Sequence, residues 1–149
     1  MQYKIISSDT GEDRQFSSVR IAAFLHEHLD EFGDRPDDIL AAINYVFTAG
    51  RGGRVVLAID GDDLVGAVVL NNTGMAGYIP ENILVYIAIH RERRGLGLGK
   101  KLMQEAIAHT PGSIALHVEP DNPAVHLYRK LGFTNKYLEM RLTRPTDAQ

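Results

Sequence analysis

Apolar and polar positions along the chain change rhythm several times, and each change predicts an element. Tyr3 to Ile6 reads as a short strand, which SSDTGED interrupts with turn formers and helix-capping residues. From Phe16 to Leu29, Val19, Ala22, Ala23, Leu25 and Leu29 recur at spacings near three and four, which predicts an amphipathic helix stopped by Gly33. Asp34-Arg35-Pro36 opens a second helix with Ile39, Leu40, Ile43 and Val46 or Phe47 on its buried face, and Gly50 lies beyond its end. Between Arg54 and Leu70, VVLAI and LVGAVVL flank DGDD, so an antiparallel hairpin is expected. A polar loop, NNTGMAGYIPEN, then leads into ILVYIAI, so uniformly apolar that both faces of this fourth strand should be buried.

Leu98 to Ala108 is helical, Pro111-Gly112 breaks it, and SIALHV forms a fifth strand. A helical crossover makes the fourth and fifth strands parallel. Asp121 or Asn122 caps another helix, with Pro123 in its first turn and Gly132 at its end, and Tyr137 to Leu142 reads as a last strand. The order βααβββαβαβ is mixed α/β, with a mostly antiparallel central sheet.

Composition narrows the chemistry. The chain has 149 residues, 44% of them hydrophobic, which suits one domain over 1–149. A formal net charge of -3 gives no global attraction to nucleic acid or to an anionic membrane, so neither is expected as a partner. With no cysteine, disulfides, thiolate catalysis and Cys-based zinc or iron–sulfur sites are excluded. The N-terminus lacks a basic segment leading into a long apolar one, and a soluble cytoplasmic protein is expected. His26 and His28, two apart, diverge on a helix and make no metal pair, while His90, His109 and His126 have no partner pattern. Ser113 lies outside any nucleophile elbow, and no metal site is expected.

The stretch RGLGLGKKLM, Arg94 to Met103, joins a strand to a helix N-terminus with three glycines on alternate positions. Free N–H groups converge at such a junction and the helix dipole adds positive potential, so it suits a phosphate. Two phosphate motifs fail here. The P-loop needs glycine where Arg94 stands and Ser or Thr where Lys101 stands, and the dinucleotide fingerprint needs its third glycine at Lys100. A third pattern, Arg/Gln-x-x-Gly-x-Gly, is met by Arg94, Gly97 and Gly99, and NPAVHLYRKLGF follows downstream. On these two segments the chain resembles the GNAT N-acetyltransferase superfamily, most strongly from Ile83 to Phe133.

The resemblance implies a single acetyltransferase domain that uses acetyl-CoA as co-substrate and no metal, with its fourth and fifth strands splayed apart. It puts the pyrophosphate on the backbone of Arg94, Gly95, Leu96, Gly97, Leu98, Gly99 and Lys100, with Arg91, Arg93, Lys100 and Lys101 supplying positive charge. The pantetheine arm would bond to main-chain groups of Ile87, Ala88 and Ile89, and the acetyl oxygen would meet an N–H near Ile87. Asn122, Tyr128 and Lys130 are further implied contacts. The usual asparagine-to-tyrosine distance falls on Asp121, while Asn122 is one residue nearer and in better register with Leu116 and Val118.

Tyr128 matches the position of the family's general acid; helical spacing with Leu127 and Leu131 also fits a packing role. Glu81, in parity with Ile83, and His117, with Glu119 in parity, are candidate bases, and a water chain without a dedicated base is the alternative. The implied acceptor is a primary amine of a small molecule or peptide, shaped by Phe24 to Tyr45 and Asn71 to Glu81. A protein N-terminal or lysine acetyltransferase and a non-catalytic acyl-CoA-binding module are the competing readings. The last strand is a candidate for pairing with a second subunit in a homodimer.

Overall fold

The computed structural model describes residues 1–145. Its order is β1 (Gln2–Ile6), α1 (Ser18–His28), α2 (Pro36–Phe47), β2 (Gly53–Asp60), β3 (Asp63–Asn72), β4 (Asn82–Ile89), α3 (Leu98–Ala108), β5 (Ile114–Leu116) and α4 (Ala124–Lys130), with 3-10 turns at Asp30–Phe32 and Arg91–Arg93. The Ser17 hydroxyl accepts from Arg20 N at 3.2 Å and starts α1, and Pro36 followed by Asp37 and Asp38 suits the N-terminal turn of α2.

The strands lie in the order β1-β2-β3-β4-β5, antiparallel except for β4 and β5. Alternation along β2 divides the core between the two faces. Val55, Leu57 and Ile59 pack with Leu25, Ile39 and Ile43 from α1 and α2, while Val56 and Ala58 pack with Leu102, Met103 and Tyr128 from α3 and α4. Each fully buried Leu, Ile or Val contributes about 1.5–3 kcal/mol to holding these layers together. Gly66 on β3 lets α3 settle, because a Cβ there would lie 2.9 Å from both Ile89 Cδ1 and Leu102 Cδ2.

The fourth strand departs from a plain ladder. Val69 pairs with Tyr86 but Leu70 pairs with Leu84, leaving Val85 as an extra residue in a bulge. The bulge resets the alternation: Leu84 belongs to the α3 side, whereas Tyr86 and Ala88 belong to the α1–α2 side. The expectation that both faces are fully buried therefore needs correction. Ile83, Val85, Ile87 and Ile89 are only half-buried, because β5 flanks just the first three residues of the strand.

Those three pairs are Asn82 with Ile114, Ile83 with Ala115 and Leu84 with Leu116. The buried Asn82 amide fixes this end, donating to Pro111 O at 2.7 Å and Ser113 O at 3.2 Å. Beyond Leu84 the strands share no ladder, and among the described residues one edge of β4 is left without a strand neighbour.

The predicted last strand, Tyr137 to Leu142, is not a strand. Tyr137, Leu138, Met140 and Leu142 are each between 77% and 89% exposed. Strand-like composition is realised only against a ladder partner, and β5, three residues long, offers little edge to extend. Among the described residues no helix is long and apolar enough to cross a membrane.

Candidate functional site

The bare edge of β4 runs directly into the glycine stretch. His90 N donates to Val65 O at 2.8 Å, so by strand alternation Ala88 and Tyr86 also turn their main-chain groups toward β3. Ile87 and Ile89 turn theirs to the open side. Arg94 Nε takes Ile89 O at 3.2 Å, which leaves the Ile87 groups facing the gap. Ile87, Ile89 and Tyr128 belong to the same apolar cluster, so Tyr128 and the open edge share one side of the sheet.

At the mouth of this gap the backbone N–H groups from Arg94 to Lys100 find no acceptor among the described residues; the first helical bond of α3 runs from Lys101 N to Gly97 O at 3.3 Å. Gly97 caps α3 with φ 78°, and Gly95 has φ 80°. Both conformations are left-handed and suit glycine. A Cβ at either position would meet no protein atom within 4 Å, so both glycines border open space. The cradle is thus open to an anion and walled by no side chain. Gly99, inside the first turn, instead lies close to Leu127.

The arginines before the cradle are committed elsewhere. Arg93 pairs with Asp60 at 2.8 Å, and Arg91 and Arg94 both pair with Asp30 at 2.9 Å. The guanidiniums of Arg94 and then Arg91 hold the Asp30 carboxyl below the usual carboxylate range. Lys100 and Lys101, exposed in the first turn of α3, are in no ion pair among the described residues.

Tyr128 is buried, its ring centroid 5.8 Å from that of Phe133, and burial pushes its hydroxyl up to about 12. It therefore keeps its proton at neutral pH and can donate it. Its hydroxyl makes no hydrogen bond among the described residues and is not sealed from water. Asn122, rather than Asp121, supplies the side-chain oxygen at the start of α4, accepting from Ala124 N at 2.9 Å. Lys130 is exposed at the far end of that helix.

The candidate bases are spread apart. His117 is exposed, one residue past the last β5 pair and so level with the Val85 bulge. Glu81 lies at the closed end, against Gly112, where a Cβ would come within 2.6 Å of Glu81 Oε2. It stands six positions before Ile87, about 20 Å at the usual strand rise, so the fold does not bring these two together.

Sequence reasoning missed two clusters. Tyr86, on the face opposite Tyr128, donates to Asp34 Oδ2 at 2.5 Å, and burial, this bond and the charges of Asp34 and Asp38 raise its pKa. His28 and His90 meet with ring centroids 4.2 Å apart, and His28 Nδ1 accepts from Arg91 N at 3.2 Å. No local pattern announces either, since the partners lie 52 and more residues apart. Among the described residues no group of three or more His, Cys, Asp or Glu is arranged to hold a metal ion.

Comparison with known proteins supplies a family and a fold. Residues 16–133 match the acetyltransferase (GNAT) family. A 5-NmdU N-acetyltransferase of Pseudomonas phage PaMx11 is 40% identical over 57 residues, 37% of this chain and 41% of that relative, so the match spans less than half of the relative's length. A probable acetyltransferase of known structure superposes with a TM-score of 0.69 at 17% identity, covering 97% of each chain. A ribosomal-protein-alanine N-acetyltransferase from Brucella melitensis biovar Abortus 2308 gives 0.62 at 17% identity, over 97% of this chain and 99% of its own. At such identities the structures speak for the fold, while the family match covers most of the chain. The chain belongs to the acetyltransferase (GNAT) family.

Proposed function

We propose that the protein transfers the acetyl group of acetyl-CoA directly to a primary amine of a small molecule or peptide. One observation carries this reading: a row of free N–H groups from Arg94 to Lys100 opens onto the strand edge where Ile87 faces the gap. The row would hold the pyrophosphate by charge-assisted bonds. The amide-bearing pantetheine arm fits a bare strand edge, to which it would add as a peptide does.

The Ile87 N–H would donate to the acetyl oxygen as that oxygen gains charge during attack. The neutral amine forms the new C–N bond, the C–S bond breaks, and the proton lost by the amine balances the one gained by the thiolate. Tyr128, protonated and buried, would supply the thiolate's proton. On the amine side His117, level with the bulge, is nearer than Glu81, and a water chain can serve in place of either. The soluble cytoplasm remains the expected setting. The phage relative's name raises 5-NmdU as an acceptor to try, beside peptides and simple amines.

Thiol release from acetyl-CoA across a panel of alkylamines, polyamines, peptide N-termini and 5-NmdU tests the proposal. Turnover on one small amine or peptide class supports it. Saturable acetyl-CoA binding with no turnover on any member would make the protein a non-catalytic acyl-CoA-binding module, and selective turnover of protein N-termini or lysines would move it to the protein acetyltransferases.

A further inference from the structure

The arginines before the cradle point back toward the end of α1, and one carboxylate holds two of them. Asp30 Oδ1 takes Arg91 Nε and Oδ2 takes Arg94 Nη1, both at 2.9 Å. The same guanidiniums also serve main-chain oxygens. Arg91 donates to Glu27 O, and Arg94 donates to His28 O at 2.5 Å and to Ile89 O at 3.2 Å. Glu27 O and His28 O belong to the last turn of α1, whose carbonyls have no partner within the helix. Arg91 N completes the joint on His28 Nδ1.

Asp30 is the only non-glycine with positive φ, 56°, among the described residues. A side-chain-bearing residue holds that conformation when its surroundings over-determine it, and such outliers gather where geometry is functional. Isolated exposed ion pairs contribute little, so surface stability is a weak reason for this arrangement. A network that holds Arg91 and Arg94, in the first half of the eight-residue loop from His90 to Gly97, has another effect: it settles how the chain enters the cradle before a ligand arrives.

We infer that Asp30 is a positioning residue for the cofactor cradle, turning Arg91 and Arg94 onto the end of α1 so that the chain from Arg94 to Gly97 presents its N–H groups preformed. The inference rests on the cradle reading above. It also assigns the phosphate contacts to the backbone, with Lys100 and Lys101 nearby, and makes the two arginines scaffold. Because the same joint grips α1, cofactor loop and helix corner move as one body.

The test compares the intact protein with Asp30→Asn, since asparagine tolerates left-handed backbone and the substitution removes the charge and one of the two acceptor oxygens while keeping the side chain's size. Acetyl-CoA affinity is measured by calorimetry, and KM for acetyl-CoA and kcat by thiol release with an amine the panel identifies. A preformed loop predicts affinity weakened roughly tenfold, with KM raised to match and kcat little changed at saturation. Arg91→Gln, alone and combined with Asp30→Asn, then forms a double-mutant cycle, and the two effects should be strongly non-additive.

Tighter binding by Asp30→Asn, with a steeper salt dependence, would mean that Asp30 restrains two phosphate ligands, and would overturn the inference. Unchanged affinity, or strictly additive effects, would overturn it as well. Failure of the unmodified protein to bind acetyl-CoA would instead remove the cradle reading itself, and this inference with it.

Discussion

The two ends of β4 are built on opposite terms. At Asn82 the strand is pinned: its side chain and main chain both reach the Pro111–Ser113 turn, and β5 pairs with it for three residues. At Ile87 and beyond, main-chain groups face an open gap, and the next turns of chain expose N–H after N–H. The first N–H groups of a helix have no partner within it, and here the glycine-containing run extends that free row back to Arg94, which suits an anion. The pinned end makes the open end affordable, because it fixes where the strands must part.

The largest effect should come from filling the open end. Gly97→Val adds a side chain where φ is 78°, in the middle of the N–H row, and should lower acetyl-CoA affinity on the order of a thousandfold, since charge-assisted bonds contribute about 1.5–3 kcal/mol each and more than one would be lost. Gly97→Asn separates the two causes, because asparagine accepts the left-handed backbone and only its bulk remains. Calorimetry on both variants decides. Loss in Val but not in Asn would trace the defect to backbone strain, and unchanged affinity in both would end the cradle reading.

Next in size is Tyr128→Phe, which keeps the ring against Phe133 and removes only the hydroxyl. If that hydroxyl protonates the leaving thiolate, kcat should fall on the order of a hundredfold, the lower range for a positioned acid, while acetyl-CoA affinity holds within a few-fold. The pH profile sharpens the point. A donor pushed up to about 12 titrates far above neutrality, so an alkaline limb of kcat between pH 7 and 9 would have to come from another group. A variant with unaltered kcat would return Tyr128 to the packing role that its helical spacing also fits.

The same contrast explains what could be read from the sequence. The open end was legible because its signal is local: alternate glycines at a helix onset need no distant partner to be recognised. The parallel pairing of β4 and β5 followed from a helical crossover, again from order along the chain. Asp30, His28 and Arg91 gave no such signal, since their contacts join residues 61 to 63 apart. The Val85 bulge was hidden too, because a register slip belongs to a pair of strands and ILVYIAI looks the same with or without it. The last strand failed in the other direction: Tyr137 to Leu142 has strand composition, but a strand also needs an edge to join. Tyr128 was singled out by resemblance, whereas its burial required the fold.

Breaking the closed end should affect stability before chemistry. Asn82→Leu replaces a buried amide with an apolar side chain of similar size and leaves Pro111 O without its donor, while Ser113 O keeps the Asn82 main-chain N–H. The cost expected is about 1–3 kcal/mol, read as a lowered urea midpoint. Acetyl-CoA affinity of the folded fraction should fall less than in Gly97→Val, because the N–H row is untouched. Equal losses of stability and affinity would show that the two ends of β4 are not separable.

The smallest effect is a pH dependence confined to the open end. Burial, then the neighbouring His90, hold the His28 pKa below 6.5; Glu27 opposes this, while Arg91 and Arg94 add to it. The unfolded chain therefore binds the extra proton, and the stabilisation is present above about 6.5 and fades as pH falls toward the folded value. Protonation would also put a hydrogen on Nδ1, where Arg91 N–H now donates. A cavity of about 470 Å³ lined by Phe24, His28, Asp63 and His90 gives water a route to the ring. Between pH 7 and 5.5, hydrogen-exchange protection should drop at Arg91 N–H while that of Asn82 N–H, bonded to Ser113 O, stays level. In His28→Asn, whose amide oxygen can accept the same N–H without titrating, the drop at Arg91 should be lost. Parallel losses at both amides would mean that acid loosens the strand as a whole, and the division between its ends would not extend to proton binding.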